Sequence, residues 1–246
     1  MKDQLSITNN QLQYLQLIYK FRFVTIPLLA SHRKVSQVAV KRSLKNLQDK
    51  GMLYRQYNSS YKLHGKAARF CLSKGAINYL KDKDLNSAVL HSNYKNPRLS
   101  DGFVDQCLDI FQLYIDIQTQ QPDIFKVLTR SELADATSLF PDPMQHLYLQ
   151  RIEPGKTNNL ILLEIIPDTQ KFIIKKRIDQ YVSHYEDGDW SEEVYPTIYL
   201  INPNSRITDY IESYYQQILD TNLIEQDTFQ IKAIQTVEHF KPPSLY

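Results

Sequence analysis

The stretch that most constrains this chain runs from Leu160 to Asp168 and reads LILLEIIPD. A short continuous apolar run closed by turn-forming residues is the pattern of a strand covered on both faces, as inside a sheet with helices packed against it. Yet Glu164 stands in the middle of that run. An ionised carboxylate left unpaired there would cost several kcal/mol or shift its pKa until it became neutral. Something must hold the charge in place.

The segments around this strand suggest how. IFKVLT, MQHLYLQRI and NLILLEII read as strands, and the turn EPGKTNN between the last two predicts an antiparallel hairpin. A helix follows over KFIIKKRIDQYVSHYEDG, then strand PTIYLIN, helix RITDYIESYYQQIL and a last strand near TFQIKAI. That order predicts an α/β domain with a mixed sheet and helices on its faces. Ahead of it, Val104, Leu108, Phe111 and Ile115 give a helix over residues 103–120 one apolar stripe, suited to a core or to a homodimer seam.

The net charge of +2 conceals a sharp division. Residues 1–85 hold 16 Lys and Arg against four acids, Asp3, Asp49, Asp82 and Asp84, whereas residues 86–246 hold 13 against 23. A basic module joined to an acidic one points to a polyanionic partner for the first module only.

Within that basic third, Thr8 is placed to cap a helix carrying Leu12, Leu15, Ile18 and Tyr19 at helical spacing, and a second short helix fits Ile26–Ser31 with Pro27 in its first turn. Ser36 then caps a third helix. It presents Val40, Leu44 and Leu47 on one face, stops at Gly51, and turns Gln37, Lys41, Arg42 and Lys45 toward solvent. Two strands, MLYRQY and ARFCLS, joined by NSSYKLHGKA, complete a winged helix-turn-helix outline. In that motif the third helix enters the major groove of duplex DNA, and Lys62, His64, Lys66 and Arg69 on the wing would reach phosphates or a minor groove. The expected organisation is therefore α+β: a winged domain over 1–85, a polar connection over 86–102, and the α/β domain over 103–246.

Other chemistries are disfavoured. No apolar run approaches the roughly 20 residues that span a bilayer, and no signal-peptide pattern opens the chain, so a cytoplasmic protein without membrane contact is expected. Cys71 and Cys107 lack zinc-ligand spacing and are expected as buried thiols. Six scattered glycines form no phosphate loop. The pair Tyr214–Tyr215 suggests a relaxase-type nucleophile, but no histidine cluster accompanies it.

Asp142, in FPDP, precedes the strand next to the one bearing Glu164, so the hairpin would bring two carboxylates together. Converging carboxylates suit Mg²⁺ or Mn²⁺, which take hard oxygen ligands. This layout resembles the PD-(D/E)xK nuclease fold, except that Ile166 stands where that pattern carries its lysine; Lys171, Lys175 or Lys176 on the next helix would have to substitute. Without such a lysine, Glu164 paired with a basic side chain of that helix would support the fold and do no chemistry.

The whole order, a winged module followed by FPDP, LILLEII, a basic helix with RIDQY and then YPTIYLIN, resembles the replication-relaxation family of plasmid and mobile-element proteins over roughly residues 8–218. That family's recurring positions fall on Pro141–Asp142, Glu164 and Arg177–Tyr181. The resemblance implies a sequence-directed duplex DNA-binding accessory in replication or mobilisation, working beside a relaxase or replication initiator; no cofactor is expected unless the carboxylate site is active, when Mg²⁺ or Mn²⁺ would serve it. Two further readings stay open: a metal-dependent DNA endonuclease using Asp142 and Glu164, and a winged-helix transcriptional regulator whose second domain senses a ligand.

Overall fold

The computed structural model describes residues 6–57, 59–83, 85–121, 124–129, 131–133, 146–151, 160–188, 190 and 194–240. It divides into two compact units, Met1–Ile115 and Asp116–Tyr246, and the chain is α+β.

The first unit opens with α1 (Asn9–Phe21), and its start is fixed locally: the Thr8 hydroxyl accepts from the Gln11 amide while the Gln11 side chain accepts from the Thr8 amide. Leu15, Ile18 and Phe21 then fall on its buried face. At Arg22 the backbone turns through φ 67°, and the Phe23 amide reaches back to the Phe21 carbonyl at 2.8 Å. A turn this tight is strained for a non-glycine residue. The reversal feeds β1 (Val24–Thr25), then α2 (Ile26–Arg33), then α3 (Gln37–Asp49).

Between α2 and α3 lie three residues, Lys34 to Ser36, with Lys34 left-handed at φ 53° and the Ser36 hydroxyl capping α3 through the Ala39 amide. Gly51 follows at φ +69°, where a side chain would be strained. Val40, Leu44 and Leu47 are wholly buried, each worth about 1.5–3 kcal/mol in apolar area removed from water.

β2 (Leu53–Gln56) and β3 (Arg69–Leu72) pair antiparallel, and β1 adds to the other edge of β3, giving the order β1-β3-β2. The short β1 was not legible in the sequence. It makes β3 a central strand, and all four of its residues are buried. The connection from β2 to β3, expected as an open loop, contains the short helix α4 (Ser59–Leu63).

The stretch 86–102 is not the polar linker that its composition suggested. After α5 (Lys74–Leu80) come α6 (Ser87–Ser92) and a 3-10 turn over Asn93–Arg98, and both Asn93 and Asn96 are fully buried. Their amides are satisfied in a chain: Arg22 Nε donates to Asn96 Oδ1 at 3.0 Å, Asn96 to Asn93 at 2.7 Å, and Asn93 to the Val89 carbonyl at 2.9 Å. A buried polar chain with every link made is what lets a polar segment join a core. α7 (Asp101–Gln120) then begins within the first unit, where Val104 and Cys107 pack with Phe23 and Cys71. Both cysteines are buried, which pushes each thiol up to about 12.

The second unit is a five-stranded mixed sheet in the order β4-β5-β6-β7-β8: Phe125–Thr129, His146–Arg151, Leu160–Ile165, Thr197–Ile201 and Ile231–Ile234. The first three strands are antiparallel, as the hairpin signal predicts, and the last three are parallel. The parallel steps need crossovers, supplied by α8 (Lys171–Glu186) and α9 (Ser205–Asn222).

Of the helices expected on the faces of this sheet, α8 and α9 share one face. Tyr148, Leu162, Ile198 and Leu200 on the sheet form a single cluster with Ile174, Ile178 and Tyr181 of α8 and with Ile207, Ile211 and Tyr215 of α9. The cause is topological. Strand order never reverses between β6 and β8, so two crossovers of the same hand fall on the same side.

Candidate nucleic-acid interface and the buried carboxylate

On α3, Gln37, Lys41, Arg42 and Lys45 are all exposed, Arg42 and Lys45 opposite the buried stripe of Val40, Leu44 and Leu47 and Gln37 and Lys41 to one side of it. The helical period settles this, since residues at i, i+4 and i+7 share one face and their neighbours rotate away from it. Lys41, Arg42 and Lys45 make no ion pair among the described residues. Three uncompensated cations thus stand on one helix face, and with Arg33 at the end of α2 and Lys34 in the turn also exposed the field there is positive.

The wing candidates separate into two groups. Lys62 is exposed on α4, and His64 is exposed beyond it, its Nδ1 2.8 Å from the Ser60 carbonyl oxygen. Lys66 lies 3.0 Å from Asp105 of α7, so its charge is partly answered within the fold. Arg69 is a correction: expected to reach phosphate, it is 1% exposed. Its guanidinium donates to Asp101 at 2.6 Å, to the Tyr61 hydroxyl at 2.8 Å and to Asp105, and it stacks on the Tyr61 ring at 4.8 Å. The Arg69 hydrogen bond, and then one that the Tyr61 hydroxyl donates to Asp101 at 3.1 Å, hold the Asp101 carboxyl below its usual range. Arg69 therefore fastens β3 and α4 to the start of α7.

In the second unit Glu164 sits in register with Leu200 and is fully buried, its side chain on the helix-covered face. Arg177 of α8 meets it side-on, with Nε 2.8 Å from Oε1 and 3.0 Å from Oε2. The Tyr181 hydroxyl, one helical turn further, donates to Oε2 and itself accepts from Arg177 at 3.1 Å. Arg177 also donates to Gln180 at 3.1 Å and stacks on the Tyr181 ring at 4.7 Å. Burial leaves the Glu164 carboxyl above its ordinary range, with Arg177 and then Tyr181 opposing that shift in part. The question raised by the sequence is answered: a guanidinium and a phenol hold the charge.

The arrangement does not fit a metal ion at Glu164 among the described residues. A divalent cation needs free carboxylate oxygens, and here both accept from Arg177, which supplies the positive charge itself. No group of three or more metal-ligating side chains occurs among the described residues. Asp142, like Pro141, lies outside them. The lysines named as substitutes turn elsewhere: Lys176 is exposed, while Lys171 and Lys175 lie over the rings of Tyr210 and Tyr214 at 4.8 and 5.2 Å. Tyr214 is not presented as a nucleophile either, since its hydroxyl donates to Asp179 at 2.5 Å and Tyr215 is buried against Phe229.

No family model matches the chain, and no curated protein gives a significant match. Among solved structures, two variants of ZitR from Lactococcus lactis align with it, each with a TM-score of 0.29 over 49% of this chain. Their identities are 17% and 18%, and the alignments take in 79% and 78% of those chains. No described helix is long and apolar enough to cross a membrane.

Proposed function

We propose that the chain binds duplex DNA through its first unit, read as a winged helix-turn-helix with α3 as the helix that enters the major groove. The observation that carries this is the solvent-facing side of α3 bearing Gln37, Lys41, Arg42 and Lys45, exposed and without ion pairs among the described residues, on a helix whose apolar stripe is fully buried. The three-residue turn between α2 and α3, and the β1-β3-β2 sheet behind them, support the same reading. Lys62 and His64 extend the contact from the wing. Affinity then comes largely from phosphate neutralisation, which is independent of sequence, and α3 supplies the reading.

The second unit, on this proposal, is a docking platform with no hydrolytic role, because Glu164 is committed to Arg177 and Tyr181. The resemblance carried by Glu164 and Arg177–Tyr181 extends the proposal to an accessory role in plasmid or mobile-element replication or mobilisation, with a relaxase or replication initiator as the protein partner. The test is duplex binding across a salt series. Affinity should fall steeply between low and moderate salt, and Lys41→Ala with Arg42→Ala should weaken binding at least tenfold and flatten the salt slope by about two. Binding indifferent to salt, or unchanged in the double variant, would refute it.

A further inference from the structure

Val38 is 68% exposed in the first turn of α3, while every other branched apolar residue of that helix is fully buried. Along the helix it lines up with Arg42 and Lys45, at i+4 and i+7, and these three form the line opposite Val40, Leu44 and Leu47. Exposed Gln37 and Lys41 flank it on one side. Its role is therefore not in the core, and it sits at the N-terminal end of the cationic face.

We infer that Val38 is a specificity-determining residue that packs against the 5-methyl group of a thymine in the major groove. The inference rests on reading α3 as a DNA-binding helix and goes beyond it by naming the base that is read. Three features of the site bear on it. The N-terminal residues of a reading helix are those that reach base edges, and Val38 is the second residue of α3. The thymine methyl is the one apolar group that the bases display in the major groove, so an exposed apolar side chain there has a single kind of complement. The cations beside Val38 bring the backbone close but carry no sequence information, and a valine in a helix is held near one rotamer, so little freedom is lost on contact. Gln37, next to it, carries the amide that pairs with adenine N6 and N7, which would make an A·T pair the natural target.

The experiment uses the full chain. A binding site is selected from a random duplex library, and each thymine of the winning site is replaced in turn by deoxyuridine, which pairs identically but lacks the methyl group. At one position or a symmetry-related pair, the replacement should weaken binding about fourfold, the value of one buried methyl group. Val38→Ala should bind thymine and uracil duplexes alike, while Val38→Ile keeps the difference and Lys45→Ala weakens both equally. Salt-sensitive binding with no thymine that responds, or a response that survives intact in Val38→Ala, would overturn this inference and leave the DNA-binding reading standing. Failure to bind any duplex at low salt would overturn both.

Discussion

Arg177 Nε donates to both carboxylate oxygens of Glu164, at 2.8 and 3.0 Å, with the acid fully buried and the base 6% exposed. Breaking a buried pair of this kind leaves one charge in an apolar surround, whereas replacing both members removes the penalty along with the bond. Glu164→Leu or Arg177→Met alone should each lower unfolding free energy by about 3–5 kcal/mol. The double replacement Glu164→Leu with Arg177→Met should recover most of that. Denaturant melts of the four proteins decide it, and additive losses in the double variant would show that the pair is not the coupled unit described. Incubating supercoiled plasmid with Mg²⁺ and the parent protein should leave it intact; nicking abolished by Glu164→Ala would return the carboxylate to catalysis.

Arg69 and Arg42 are both arginines of the basic third, and they should fail in different ways. Arg69 is buried against Tyr61, Asp101 and Asp105, so Arg69→Met should destabilise the fold by about 1–3 kcal/mol, the range for hydrogen bonds to charged groups. Arg42 is exposed and unpaired by any ion pair among the described residues. Arg42→Ala should leave the melt within about 0.5 kcal/mol of the parent, as surface substitutions do, and act on DNA affinity alone. Equal stability losses in the two variants would contradict the assignment.

His32, in the last turn of α2, lies edge-on to Phe111 at 5.8 Å and near Tyr114 at 5.6 Å. Burial, then the charges of Arg33 and Lys20, lower its pKa from the ordinary 6.5. The folded state therefore prefers the neutral ring. Its stability contribution is complete above about pH 6.5 and is lost as pH falls toward the lowered value, because the unfolded chain takes up the proton first. Melting temperature should decline on acidification within that window, and His32→Gln should flatten the decline. A profile equally steep in the variant would assign it to other groups.

What was legible in the sequence follows how local each signal is. The limits of α3 could be read because Ser36, the Val40–Leu44–Leu47 phase and Gly51 act within one helix. Glu164 could be flagged for the same reason, and the phase of α8 even identifies its partner: Arg177 lies between buried Ile174 and Ile178, while Lys176 is rotated about 100° into solvent. Arg69 was misread because its burial depends on two distant facts. The two-residue β1 turns β3 into a central strand with no solvent face, and the acids that neutralise Arg69 come 32 and 36 residues later. The docking of 86–102 was missed likewise, since it hangs on Arg22 reaching across 74 residues to Asn96.

Gly75 sets a steric constraint against a helical preference. It is the second residue of α5, where alanine would ordinarily gain up to about 1 kcal/mol in helix propensity. A Cβ at Gly75, however, would lie 2.9 Å from the Gly51 carbonyl oxygen, a backbone atom. That carbonyl also accepts from the Ser73 hydroxyl at 2.5 Å, and the Ser73 amide donates to the Met52 carbonyl at 3.0 Å, so the turn leaving α3 is tied to Ser73 at two successive carbonyls and cannot easily retreat. Forced overlap in a packed place costs about 1–3 kcal/mol, which outweighs the propensity gain. Gly75→Ala should therefore lower unfolding free energy by up to roughly 2 kcal/mol, the balance of those two effects. Gly102→Ala, with open space around its Cβ, serves as the control and should be neutral or mildly stabilising. A stabilised Gly75→Ala protein would mean that the α3–β2 turn yields, and that the position of α3 on its own unit is less firmly set than these contacts require.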